Sequence, residues 1–162
     1  MYKSSGNIRQ ASLFWDLESV LDSKHPLYKL ANLVDWDMFE KSFSPLYCHD
    51  NGRTAKPIRL MVGLLILKHL HNVSDETVVA QFAENAYYQY FCGMESFTAN
   101  IPCVPTELVG FRHRIGESGI EMILKESIRS TWRLKAGEKR TKTRRITRIT
   151  VAESPMPIKQ PS

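Results

Sequence analysis

Pro57-Ile58-Arg59-Leu60-Met61-Val62-Gly63-Leu64-Leu65-Ile66-Leu67-Lys68-His69-Leu70-His71 is the stretch that decides the fold. Pro57 suits the first position of a helix, where its missing N–H costs nothing. From Ile58 to His71 the spacing predicts a helix that is apolar on nearly all sides. Such a helix has no face to offer to water, so other elements must surround it, and it reads as the buried centre of an all-α domain. The run from Leu60 to Leu67 falls far short of the roughly 20 residues a membrane crossing needs. Met1-Tyr2-Lys3-Ser4-Ser5-Gly6 opens no apolar signal-like segment, so no membrane partner is expected.

Downstream of this helix, Asn72-Val73-Ser74 makes a tight connection. Ser74 is a good N-cap, and Asp75 and Glu76 complement the helix dipole. The next helix is expected to run to about Phe91 or Cys92, with Gly93 as its stop. Gly93 to Pro105 reads as an irregular loop. Thr106 then caps a short helix with Leu108, Phe111 and Ile115 on one face, closed by Gly116. Ser118-Gly119-Ile120-Glu121 has capping-box spacing and starts a last helix through about Ile128.

Upstream, Pro26 opens a helix that places Leu27, Leu30, Ala31 and Val34 at helical spacing. Asp35 to Glu40 starts another, with Trp36, Phe39 and Phe43 on one stripe and Ser44-Pro45 at its end. Ala11 to Leu21 shows no clear period and fits a strand or a short helix equally. The expected organisation is therefore an uncertain segment over 1–24, a helical domain of five to six helices over 25–128, and a disordered tail over 129–162.

Charge sharpens that division. The chain carries a net +5, but residues 129–148 hold nine Lys/Arg against Glu138 alone. The basicity belongs to one short segment, as expected of a contact with nucleic acid. Three cysteines (Cys48, Cys92, Cys103) have no close pairing, which argues against a disulfide framework and fits a reducing, cytoplasmic setting. His69 and His71, two apart on a helix, point in opposite directions and cannot share a metal. Cys48-His49-Asp50 contains residues of catalytic type without the geometry that would make them a triad.

Five pieces taken in order carry a family resemblance: Leu33-Val-Asp-Trp-Asp-Met-Phe-Glu40, Gly52 to Lys68, Val73-Ser-Asp-Glu-Thr-Val-Val79, Tyr88-Gln-Tyr-Phe-Cys-Gly93, and Pro105-Thr-Glu-Leu-Val-Gly-Phe-Arg-His-Arg-Ile-Gly116. Over Leu33 to Ile128 the chain resembles the N-terminal domain of InsH-like transposases, the IS-five group of bacterial insertion sequences. The resemblance implies a helical domain that binds the terminal inverted repeats of a mobile element. It also implies a following ribonuclease-H-like domain whose three carboxylates hold two Mg²⁺ ions, since paired metals must stabilise both attacking and leaving oxygens. The first of those carboxylates sits in an Asp-Thr-Thr-Val-like strand. Here its counterpart is Arg148-Ile149-Thr150-Val151, with arginine in place of the acid. The expectation is a DNA-binding fragment that needs no cofactor of its own and does not catalyse transposition alone.

Two helices compete as the reader of DNA. The Asp75–Phe91 segment follows the buried helix after a short turn, as a helix-turn-helix pair would, but it contains no Lys or Arg and three acids. The Thr106–Ile115 helix turns Thr106, His113 and Arg114 outward, with Arg112 at its edge. A second reading of those arginines pairs Arg112 and Arg114 with Glu107 and Glu117. Arg133, Lys139, Arg140, Arg144 and Arg145 would add sequence-independent attraction, or belong to an out-of-frame peptide. The group Tyr87, Tyr88, Tyr90 and Phe91 could stack bases or pack internally. Rival functions are an oligomerisation module that joins full-length transposase, motivated by the apolar central helix and these tyrosines, and a relic of a degraded element.

Overall fold

The computed structural model describes residues 16–47 and 56–152, with side chains described as far as Arg140. The described residues form seven α-helices and contain no strand: α1 (Leu17–Val20), α2 (Pro26–Ala31), α3 (Trp36–Phe43), α4 (Ile58–His71), α5 (Asp75–Glu84), α6 (Ala86–Phe91) and α7 (Pro105–Ala152). A 3-10 turn, Ser44–Leu46, closes α3. The all-α architecture is the one the sequence expects. None of these helices is long and apolar enough to cross a membrane.

Helix α4 is the centre. Every residue from Leu60 to Leu67 is buried, and Val62, Leu64, Ile66 and Leu67 have no exposure at all. Each such side chain removed from water is worth roughly 1.5–3 kcal/mol. Phe39 and Phe43 of α3, Val78, Val79 and Phe82 of α5, Phe91 of α6, and Leu108, Phe111 and Ile115 of α7 complete the core. Between Leu60 and Leu67 the helix has no free face for a second molecule, so its apolar run does not by itself motivate oligomerisation.

Helix ends follow local chemistry. His25 Nδ1 accepts from the Leu27 N–H, Asp35 from Met38, and Ser74 from Thr77. Pro57 sits one position earlier than expected, as the N-cap of α4. Asn72 ends α4 in the left-handed region (φ 52°), which its short polar side chain tolerates better than most. The segment that ends at Phe91 is two helices, not one. Asn85 leaves helical geometry, and its side chain accepts from the N–H groups of Tyr87 and Tyr88 to start α6. Asx side chains compete with the helix backbone in this way.

Helix α7 departs furthest from expectation. It begins at Pro105, so Thr106 is an exposed helical residue and not a cap. Its start is fixed instead by Glu107, which accepts from the Val104 N–H at 3.0 Å. Gly116 (φ 64°, ψ −172°) breaks it into two stretches, 105–115 and 117–152. That backbone conformation is essentially open to glycine alone. The second stretch continues to Ala152, where the sequence suggests disorder from Arg129. Ser130 is buried and Leu134 still packs against the core, and beyond them Lys, Arg, Glu and Ala remain good helix formers. Residues 148–151, matched by resemblance to a metal-binding strand, are helical.

Candidate nucleic-acid interface

The first stretch of α7 is placed by Leu108, Phe111 and Ile115, which turn into the core. Helical geometry then leaves Thr106, His113 and Arg114 exposed on the opposite side. Arg114 is braced from outside its own helix, its guanidinium 4.7 Å from the centre of the Tyr47 ring. A cation held over a ring keeps its charge and loses freedom.

Arg112 has a different occupation. Its Nη1 and Nη2 donate to Asp75 Oδ1 and Oδ2 at 2.9 and 2.8 Å, a bidentate pair. Lys68 Nζ donates to the same Oδ1 at 2.7 Å. One carboxylate therefore joins the end of α4, the start of α5 and the first stretch of α7. Hydrogen bonding from Arg112, followed by that from Lys68, outweighs burial and draws the Asp75 carboxyl down to about 2. The pairing with Glu107 and Glu117 suggested by sequence proximity is replaced, for Arg112, by a partner 37 residues away. Arg112 is committed to holding the fold.

The acid-rich α5 presents Glu76, Thr77, Ala80 and Glu84 to solvent. Phosphates would meet negative charge there. The tyrosines are also engaged: Tyr87 stacks on His25 at 3.7 Å, Tyr90 on Tyr28 at 4.6 Å and Tyr88 on His71 at 5.4 Å. These internal stacks remove both the base-stacking reading and the second motive for oligomerisation.

Several residues within the resemblance converge away from this surface. Arg59, half-buried, lies 4.8 Å from the Trp36 ring centre and donates to the carbonyls of Tyr90 and Phe91 at 3.5 Å. Trp36 meets Phe91 edge-on at 5.2 Å. Gln89, fully buried, donates from Nε2 to the Phe82 and Thr98 carbonyls and accepts from the Thr98 N–H, which ties the loop after α6 to the helix pair. These are assembly contacts, and sequence reading passed over Arg59 and Gln89 because their partners lie far along the chain.

Beyond the core, α7 becomes a basic rod. Buried Glu126 anchors its root: it accepts from the Asp35 N–H, from Ser130 Oγ and from Arg129 Nε. After Leu134, residues 135–140 are all exposed. Arg129, Arg133 and Arg140 are spaced by four and seven residues, which 3.6 residues per turn brings to one face. Lys135 and Lys139 fall away from that stripe. The side chains of Arg144 and Arg145 lie outside the described residues, as do Cys48, His49 and Asp50 altogether. Among the described residues no three His, Cys, Asp or Glu side chains are grouped to hold a metal.

A family model described as "Transposase domain (DUF772)" matches residues 15–114. The chain belongs to the DUF772 transposase-domain family. That match covers α1 through the first stretch of α7, the part of the molecule built around α4. The DUF772 chain is also 36% identical, over 151 residues, to an uncharacterized protein, ORF8 in the nfe locus of Rhizobium meliloti. This similarity spans 93% of the chain and 72% of the relative. It leaves too few residues outside to miss the basic segment. No solved structure matches this DUF772 chain.

Proposed function

We propose that this protein is the DNA-engaging domain of a transposase. The observation that carries the reading is the exposed basic rod of α7, rooted on a transposase domain, with Arg129, Arg133 and Arg140 along one face. In this reading the rod supplies phosphate contacts that hold duplex DNA without regard to sequence. Thr106, His113 and Arg114 are the groups that discriminate bases, since a Thr hydroxyl and an Arg fork both suit base edges. Arg112 drops out of that set. The reach of the Rhizobium meliloti similarity into the basic segment supports a segment that belongs to the protein over an out-of-frame peptide.

Strand transfer by the two-metal route needs clustered carboxylates. The described residues do not fit that requirement, and no catalytic step is assigned to them. We infer that cleavage depends on a separate carboxylate-bearing domain and that this chain incubated with Mg²⁺ and DNA leaves the duplex intact.

Selection of bound duplexes from a random-sequence pool tests the assignment of roles. The wild-type chain should enrich a common motif, the end repeats of its element. A triple Thr106→Ala, His113→Ala, Arg114→Ala variant should bind DNA but enrich none. Enrichment unchanged by the triple variant would place base recognition elsewhere.

A further inference from the structure

Helix α7 carries a second face that the DNA reading does not use. Glu121, Leu124, Ile128, Thr131 and Lys135 recur at intervals of three, four, three and four residues, the spacing of a coiled-coil seam. Ile128 is 58% exposed and Trp132, on the flank of the seam, 69%. Beside them runs an open groove of about 300 Å³ between the end of α4 and α7, walled by Leu70, Leu124, Ile128 and Trp132. A ring as large as tryptophan standing free next to an apolar groove is rare on a surface without a partner.

We propose that this face binds a second copy of the same chain, with the two α7 helices antiparallel and crossing at Ile128. The charges decide the occupant and the direction. Glu121, which also accepts from Lys125 of its own helix at 2.7 Å through one oxygen, and Lys135 stand seven residues to either side of Ile128, so an antiparallel pair sets each Glu121 against Lys135 of the other copy. A parallel pair would oppose like charges at both ends. The same two-fold places each Trp132 across from Leu124 of the other copy, at the mouth of the groove. Arg133 and Arg140 lie on the far side of the helix, so the pairing leaves the phosphate-facing stripe open on both copies.

Sedimentation equilibrium of the full chain, freed of nucleic acid, tests this. The wild type should pass from monomer to dimer with rising concentration. Trp132→Ala, at an exposed position that leaves the core intact, should weaken association about tenfold or more, as loss of an anchoring aromatic does. Lys135→Glu and Glu121→Lys should each weaken it, and the two together should restore it. A monomer at all concentrations, a dimer indifferent to Trp132→Ala, or a double reversal without recovery would overturn the proposal.

Discussion

Arg112 grips Asp75 with both arms of its guanidinium at 2.8–2.9 Å, although the two residues lie 37 positions apart. This pair fixes the first stretch of α7 against the α4–α5 corner, and so fixes where Thr106, His113 and Arg114 face. Because the folded Asp75 carboxyl titrates at about 2 against an ordinary 3.8, its contribution is complete above roughly pH 4 and is lost as pH falls towards 2. Asp75→Asn should cost about 1–2 kcal/mol at pH 6 and little near pH 2. Urea unfolding at the two pH values measures it. A cost equal at both would mean that the charge is not what holds the corner.

The same pair separates stability from recognition. Arg112→Ala should lower the melting temperature and weaken DNA binding across all sequences, while the motif enriched by the folded protein stays the same. Arg114→Ala should spare the melting temperature and alter the motif, since it gives up a surface contact with Tyr47 and no core packing.

Gly116 should resist any side chain. Open space surrounds its Cα, so crowding is not the obstacle; the positive φ is. Gly116→Ala should destabilise by roughly 1–3 kcal/mol, the cost of holding a non-glycine residue in that region. Melting curves report the loss, and an unchanged melting temperature would show that the break between the two stretches relaxes freely.

Gly63 marks a tight approach in the core. A Cβ there would lie 2.8 Å from Cys92 Sγ and 3.3 Å from Cys92 Cα. Gly63→Ala should cost about 1–3 kcal/mol through overpacking. Adding Cys92→Ala should return part of it, because the nearer of the two obstructions is removed, and a double-mutant cycle would show that coupling. Burial also pushes the Cys92 thiol up and raises Cys103 to about 11, so both should resist thiol reagents at pH 8 until the protein unfolds.

Much of this fold is written in short-range signals. The unbroken apolar run of α4 announces a buried helix, and Asp35 and Ser74 announce helix starts, because caps and periodicity act within a few residues. Asn85 was hidden because a cap inside a continuous helical pattern looks like an ordinary polar position. The length of α7 was hidden because residues 135–140 have helix propensity without a buried face. The site was legible in outline only. The outward side of Thr106, His113 and Arg114 follows from the burial of Leu108, Phe111 and Ile115, whereas the claim of Asp75 on Arg112 depends on a contact across the whole domain. Sequence spacing carries no trace of it.

The proposed role of the α7 rod is to hold DNA. Fluorescence anisotropy of the full chain on a short duplex, titrated from 50 to 200 mM salt, measures it directly. With about five phosphates neutralised, log K against log salt should fall with a slope near −4 to −5. Replacing Arg133, Lys139, Arg140, Arg144 and Arg145 by glutamine should flatten that slope markedly and lower the affinity, with Arg129 and Arg114 left to carry the remainder. A slope unchanged by those five replacements would contradict the account and move the DNA to another face of the domain.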